Sequence, residues 1–222
     1  MIINNHIITT SSFEFGNRLD AELYRPNLKE SFNELFKTGY EILPLKRFCI
    51  IRSGTTPPDR IDGLEDGPIL FKTTDVRNGV ISPTGDYYHI SERIHRRMSK
   101  TQLKKHDVLL NIVGATLDVI GRAGFIDNLP NEANITQAMV FLRCKTPDII
   151  PSYLFSYLKT KYGQDQIKRF ARPTGQYNLN LQEVRQISVP VVPKSHQIEI
   201  EDLVLSAAHL QEISEEKYIE AE

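Results

Sequence analysis

The sequence of 222 residues has room for one domain of ordinary size with an appendage, or for two small domains. Its formal net charge of −1 argues against a protein that coats nucleic acid without sequence preference, although it leaves room for a local basic face. No apolar run approaches the ~18 residues of a membrane span, and two cysteines, Cys49 and Cys144, are too few for a disulfide framework, so we expect buried free thiols, no membrane and a reducing, cytoplasmic setting.

The chain divides into three predicted parts. Residues 1–40 form a lead whose helix begins near Pro26 and ends at Gly39, where a left-handed cap is expected. Residues 41–193 form a body in which strand patterns dominate and helices intervene without a regular βαβ rhythm. We therefore predict an α+β fold built on a mixed, twisted β-sheet with short helices. Residues 194–222 form a C-terminal amphipathic helix, which must pack on the body, the lead, a second copy or another subunit.

The strands of the body are predicted from short apolar or alternating runs that end at turn residues. Asp107–Val113 alternates and thereby places Val108, Leu110 and Ile112 on one face. The other strand candidates are Pro68–Thr73, Ile120–Ile126, Ile135–Arg143 and Ile187–Val192.

Capping signals place the helices that follow the lead. Ser91 is the expected N-cap of a short basic helix. Pro151–Lys161 has proline in a first-turn position and a stripe of Tyr and Leu on one side. Ser195 is the expected N-cap of the tail helix, whose apolar residues recur at helical spacing.

Motifs for catalysis are absent from the sequence, which has neither a G-x-x-x-x-G-K-[ST] phosphate loop nor a G-x-G-x-x-G fingerprint nor a G-x-S-x-G elbow. Asp59 and Asp62 could bind Mg²⁺ as a nuclease requires, but no D/E-x-K triplet lies on a neighbouring strand, so a solvated loop is favoured. His106 and Asp107 are better explained as a turn than as metal ligands. We expect no cofactor, no metal and no catalysis by the chain alone.

Side chains suited to DNA contact occur in several stretches. A basic helix and turn between Glu92 and Asp107 could neutralise phosphates, with a solvated helix face as the alternative. The run Lys168–Asn178 contains Arg, Gln and Asn, which read base edges, in a loop marked by Pro and Gly, with a polar connector as the alternative. A further cluster follows the strand Pro68–Thr73. The candidate DNA contacts are Lys72, Thr73, Thr74, Arg77, Arg93, Arg96, Arg97, Lys100, Arg172, Thr174, Gln176, Tyr177 and Asn178.

Taken in order, short motifs of this chain resemble one target recognition domain of a type I restriction-modification specificity subunit. The resemblance covers about Leu43–Ile198, and the stretch Arg18–Tyr24 also resembles the segment that precedes such domains. It is carried by Leu43-Pro44-Leu45, Ser53–Pro57, Ile69–Val76, Asn78–Ile81, Tyr87–Ser91, Leu103–Leu110, Gly114, Gly121-Arg122-Ala123, Asn134–Gln137, Pro151–Leu154, Gly175, Leu181, Ile187–Pro193 and Gln197-Ile198.

The resemblance implies a non-catalytic protein that binds double-stranded DNA and directs methyltransferase, and often endonuclease, subunits to a target site. Two departures stand out: the family usually has Gly in place of His106, and its members usually carry two recognition domains and two long helices. The chain is therefore expected to be a half-subunit that forms a homodimer through its C-terminal helix, a fragment of a longer protein, or the recognition part of a system built differently. The alternatives are an assembly module without DNA affinity and, least favoured, a magnesium-dependent nuclease.

Overall fold

The computed structural model describes residues 21–82, 84–129 and 131–221. The helix predicted in the lead is confirmed: α1 spans Pro26–Leu35 with proline in its first turn, and a 3-10 turn continues it over Phe36–Thr38. Gly39 ends this helix in the left-handed conformation, with φ 78°. The stretch before residue 21, which includes the first motif residues of the lead, lies outside the described residues.

The body contains strands and helices in an irregular order, which confirms the α+β prediction. Its elements are β1 (Glu41–Pro44), α2 (Leu45–Phe48), β2 (Cys49–Ser53), β3 (Ile69–Phe71), α3 (Glu92–Arg97), β4 (Val108–Asn111), β5 (Val113–Gly114), β6 (Ala123–Phe125), β7 (Ala133–Ile135), β8 (Met139–Cys144), α4 (Pro151–Lys159), α5 (Lys161–Phe170), β9 (Arg172–Pro173), β10 (Tyr177–Asn178), α6 (Leu181–Gln186), β11 (Ser188–Val191) and the tail helix α7 (Lys194–Ala221).

The described strands form small sheets, some with antiparallel and one with parallel pairing. The largest is antiparallel, in the order β2-β8-β4-β6, while β3 and β7 pair in parallel. β1 pairs with β11 and so joins the two ends of the body, and β5, β10 and β9 form a short antiparallel ribbon. In β2 and β8, Cys49 lies opposite Cys144 with the two sulfurs 3.8 Å apart; both thiols are free, Cys49 buried as predicted and Cys144 half-buried.

The alternation predicted along Asp107–Val113 is confirmed by the way β4 divides the interior. Val108, Leu110 and Ile112 belong to one apolar cluster, which also contains residues of α1, α4 and α5. Leu109 faces a second cluster built around β3 and β7. Both faces of β4 are therefore buried, and the strand separates the two apolar clusters of the body.

Several predicted boundaries are wrong. The run Ile135–Arg143 forms two strands rather than one, since β7 ends at Ile135 and β8 begins at Met139. The helix predicted to reach Lys161 ends at Lys159, and Thr160 caps the unpredicted α5 by accepting a hydrogen bond from the backbone of Gly163.

The predicted caps of the other two helices are also inaccurate. Ser91 occupies the N-cap position of α3, but its side chain makes no capping hydrogen bond. Ser195 lies inside α7, which begins at Lys194.

The tail helix packs on the body along one side. Gln197 is fully buried; its amide accepts a hydrogen bond from the Ile150 backbone at 2.8 Å and donates to two backbone carbonyls. Near the other end, Glu215 accepts hydrogen bonds from the hydroxyls of Ser82 at 2.6 Å and Thr84 at 2.8 Å. These bonds, above all that from Ser82, hold the pKa of Glu215 below its usual value.

Large apolar residues are exposed along α7. Leu203 is 71% exposed, Leu210 66% and Tyr218 68%. Within the described residues, no helix is both long and apolar enough to cross a membrane.

Candidate DNA interface

Loops from several strands converge at one edge of the body. The backbone of Thr55, which follows β2, donates to the carbonyl of Ile135 at 3.1 Å, and Thr136 donates to the carbonyl of Phe71 at 3.1 Å. A Cβ at Gly54 would meet the Ile135 carbonyl oxygen at 1.9 Å, so this approach requires glycine. The loops that follow β2, β3 and β7 therefore lie together.

Asn111 joins the end of β4 to the same edge. Its buried side-chain amide donates to the carbonyl of Thr73 at 3.0 Å and to that of Val119 at 3.4 Å. The backbone N–H of the next residue, Ile112, donates a hydrogen bond to the carbonyl of Ala138 at 2.9 Å. The connection between β7 and β8 thus lies beside both the loop after β3 and the loop after β4.

A hairpin formed by β9 and β10 extends this edge. Tyr177 pairs with Gly114 of β5 and with Pro173 of β9, and Gly175 turns the chain at φ 81°. The amide of Asn178 donates to the Thr174 hydroxyl at 2.8 Å, which braces the turn. Side chains at 172, 174 and 176 are exposed, while those at 177 and 178 are half-buried.

The start of the predicted recognition loop is wrong. Lys168, Arg169 and Phe170 belong to α5, where Arg169 is 1% exposed and donates from Nε to the carbonyl of Leu23 at 2.7 Å. The exposed part of the run therefore begins at Arg172, whose guanidinium lies 2.5 Å from the Glu183 carboxylate.

The cluster Lys72–Arg77 forms a tight turn directly after β3. The carboxylate of Asp75 accepts from the Lys72 backbone at 2.7 Å and from the Thr74 hydroxyl at 3.2 Å. Arg77 donates to the Thr74 carbonyl at 3.2 Å, and the Lys72 ammonium lies 3.9 Å from the centre of the Tyr88 ring. Lys72, Thr74 and Arg77 are exposed, whereas Thr73 is half-buried.

The basic helix α3 borders the same edge. Arg93 and Arg97 both bind Asp59, and the hydrogen bond from Arg97 is the main cause that lowers the pKa of Asp59 to about 2. Arg96 and Lys100 are exposed and, among the described residues, form no ion pair.

A cleft of about 510 Å³ separates the Asp59 loop from the turn after α3, and Thr55, Pro57, Arg97 and Lys100 are among its lining residues. The two acidic residues considered as metal ligands point to different partners: Asp62 accepts from the Tyr88 hydroxyl at 2.6 Å. Within the part of the chain that the structure describes, no group of three or more His, Cys, Asp or Glu could hold a metal.

The edge also exposes polar side chains that sequence reasoning did not select. Thr55 and Gln137 are exposed beside the converging loops, and Thr116 is exposed in the loop after β5. Two of these residues lie in the motifs Ser53–Pro57 and Asn134–Gln137, which were the available signal.

Comparison with known proteins identifies the family. The family model described as the type I restriction modification DNA specificity domain matches residues 37–221. The chain belongs to this family. A relative of this specificity domain, the type I restriction enzyme EcoBI specificity subunit of Escherichia coli, is 28% identical over 142 residues, which cover 63% of this chain and 28% of that protein.

Solved structures share the fold of this specificity domain. The HsdS subunit from Thermoanaerobacter tengcongensis matches with a TM-score of 0.51 and 13% identity, over 86% of this chain and 44% of that one. The S subunit of a type I restriction-modification system from M. genitalium matches with a TM-score of 0.53 and 12% identity, over 80% of this chain and 42% of that one. The specificity domain thus spans less than half the length of these relatives.

The departure at His106 has a structural explanation in this specificity domain. His106 adopts a left-handed conformation, with φ 69°, which favours glycine. The turn predicted here is confirmed, since Asp107 donates to the Lys104 carbonyl at 3.1 Å and its carboxylate accepts from the Lys104 backbone at 2.9 Å. The histidine ring stacks on Phe125, with 6.0 Å between the ring centres.

Proposed function

We propose that this chain is the sequence-reading component of a type I-like restriction-modification system: it binds double-stranded DNA and directs methyltransferase and endonuclease subunits to the bound site, without catalysing a reaction itself. The observation that carries the proposal is the convergence of an exposed hairpin, a basic turn and a basic helix at one edge of a DNA specificity domain. Such an edge combines side chains that can contact DNA bases with side chains that can contact phosphates.

The hairpin is the proposed reader of bases. A two-stranded ribbon fits the major groove of B-DNA, where Arg pairs with guanine and Asn or Gln with adenine. Arg172 and Gln176 supply these groups, Thr174 and Asn178 brace the turn that presents them, and Tyr177 is the proposed contact to a sugar. The turn after β3 supplies Lys72, Thr73, Thr74 and Arg77 to the neighbouring part of the site.

The basic helix is the proposed holder of phosphates. Arg93, Arg96, Arg97 and Lys100 lie on or just after α3, at the flank of the edge rather than at the hairpin. Phosphate contacts fix the register of a protein on DNA but carry no sequence information, so these side chains set affinity and salt dependence.

The test is selection from randomised duplexes at low salt, with the chain alone and with its methyltransferase subunit. We expect one sequence to be enriched. Gln176→Ala should then relax the preference at one position, at a cost of about 1–3 kcal/mol, because a base contact is lost. Arg96→Ala should weaken binding to all sequences alike. Arg47→Ala is the charge-matched control, since α2 precedes β2 and lies at the strand end opposite the proposed interface. A chain that enriches nothing in either form contradicts the proposal.

For the tail helix we propose a role in assembly with a second copy or with a methyltransferase subunit. The support is the exposed pair Leu203 and Leu210, which are seven residues apart and therefore on one face of α7. Light scattering should show a dimer that Leu203→Lys with Leu210→Lys converts to a monomer. If the folded chain dimerises but does not bind DNA, the result favours the alternative function, an assembly module without DNA affinity. The cytoplasm stays the proposed setting, on the ground of the cysteine content.

A further inference from the structure

The pairing of Asp59 with Arg93 and Arg97 is the strongest feature that the proposed function leaves without a role. Arg97 binds both carboxylate oxygens of Asp59, and Arg93 donates to one of them at 3.1 Å. The acid therefore neutralises two of the cations that the basic helix offers to DNA. Asp59 and Arg97 line the same cleft as Thr55 and Lys100.

The exposure of these ion pairs means that they contribute little to the stability of the fold and that another anion can replace Asp59. The side chains are 80% exposed at Arg93, 52% at Arg97 and 36% at Asp59, so water screens the attraction between them. A phosphate is an equally good bidentate partner for a guanidinium, and it brings the release of condensed counterions from DNA. Phosphate and the Asp59 carboxylate thus compete for the same arginine donors.

We propose that Asp59 is a built-in competitor of the DNA backbone: it occupies Arg93 and Arg97 in the free protein, and a phosphate must displace it when the cleft receives DNA. This inference rests on the proposed function. Asp59 lowers affinity for every sequence by the same factor, because phosphate contacts carry no sequence information. Because the target and the competing sites are weakened alike, Asp59 shortens the time that the protein spends at each site and leaves the ratio of their affinities unchanged.

Asp59→Asn is the test, with Asp62→Asn as the matched control. Both variants remove one negative charge from the same loop, but Asp62 faces Tyr88 and Arg60 rather than the basic helix. Binding of the selected duplex and of a scrambled duplex is measured across a salt series. For Asp59→Asn we expect affinity to rise about tenfold for both duplexes, with a salt slope steeper by about one. For Asp62→Asn we expect a change of about twofold or less.

A second background separates competition from a simple change of charge. When Arg93 and Arg97 are both alanine, Asp59→Asn should gain no more than Asp62→Asn. Asp59→Ala serves as the second variant if the asparagine leaves the loop disordered.

Two other results have different meanings. If the Asp59 variants bind both duplexes no better than Asp62→Asn, the inference is overturned. The proposed function still stands in that case, provided that the unaltered chain prefers its selected sequence. If the unaltered chain binds no duplex in any salt, both the proposed function and the inference fail.

Discussion

Three arginines of the proposed interface are held by two carboxylates, and the fold holds these two carboxylates differently. Glu183, the partner of Arg172, is 8% exposed and is itself fixed in a capping box with Asn180 at the start of α6. Asp59, the partner of Arg97, stands in an exposed loop. The comparison teaches that one ion pair orients its arginine, whereas the other only restrains it until a competing anion arrives.

A third, more deeply buried pair extends this comparison and gives the largest expected effect. Asp107 is fully buried and accepts from Arg143 at 2.6 and 2.8 Å, while Asp127 pairs with Lys105 at the surface. Asp107→Ala should lower the free energy of unfolding by about 3–5 kcal/mol, because it leaves the guanidinium without its partner. Urea unfolding measures this, with Asp127→Ala as the control at about 1 kcal/mol or less. Equal losses in the two variants would contradict the ranking by burial.

An intermediate effect is expected at Glu183. Glu183→Ala removes the acceptor for the Asn180 backbone and should lower the free energy of unfolding by about 0.5–2 kcal/mol. Glu183→Gln keeps an acceptor for the cap but loses the charge that holds Arg172. It should therefore keep more of the stability than Glu183→Ala while relaxing the sequence preference in the duplex selection. An unchanged preference in Glu183→Gln would mean that Glu183 serves the helix alone.

The smallest effect on stability is expected at Asp59, and it depends on pH. The hydrogen bond from Arg97 lowers the pKa of Asp59 to about 2 from a usual value of 3.8. A lowered pKa in the folded state means that the pair contributes above pH 3.8 and that its contribution is lost as the pH falls through about 2. The carboxyl carbon signal should titrate near that value by NMR. In Arg97→Ala the midpoint should move towards the usual value; a midpoint that stays low would assign the shift to the loop itself.

Local features were predictable from the sequence because local sterics or periodicity determines them. The alternation of apolar residues around Leu110 predicted the central strand β4, and Gly39 predicted the end of α1. The adjacent residues His106 and Asp107 predicted a turn. The ordered motifs named the family, which the residue chemistry alone could not do. The short strands β1 and β2 escaped prediction because few residues carry their pattern and their partners lie more than 85 residues further along the chain.

The parts of the candidate site that depend on tertiary contacts were not predictable. The sequence of α5 is polar and contains Gly163, yet it is helical because Ile167 and Phe170 enter the core and Arg169 meets the lead. The ion pair between Asp59 and Arg97 joins residues 38 positions apart, and no local rule indicates it.

The pairing of β1 with β11 also matters for protein engineering. Glu41 lies opposite Val191, so the chain enters and leaves the body at neighbouring positions, about 5 Å apart as in any antiparallel pair. A domain with adjacent ends can be excised as one cassette and grafted into the tip of a surface hairpin of another protein without stretching either chain. The graft must keep or replace two surfaces: that of α5, on which α1 packs, and that of α4, on which α7 packs.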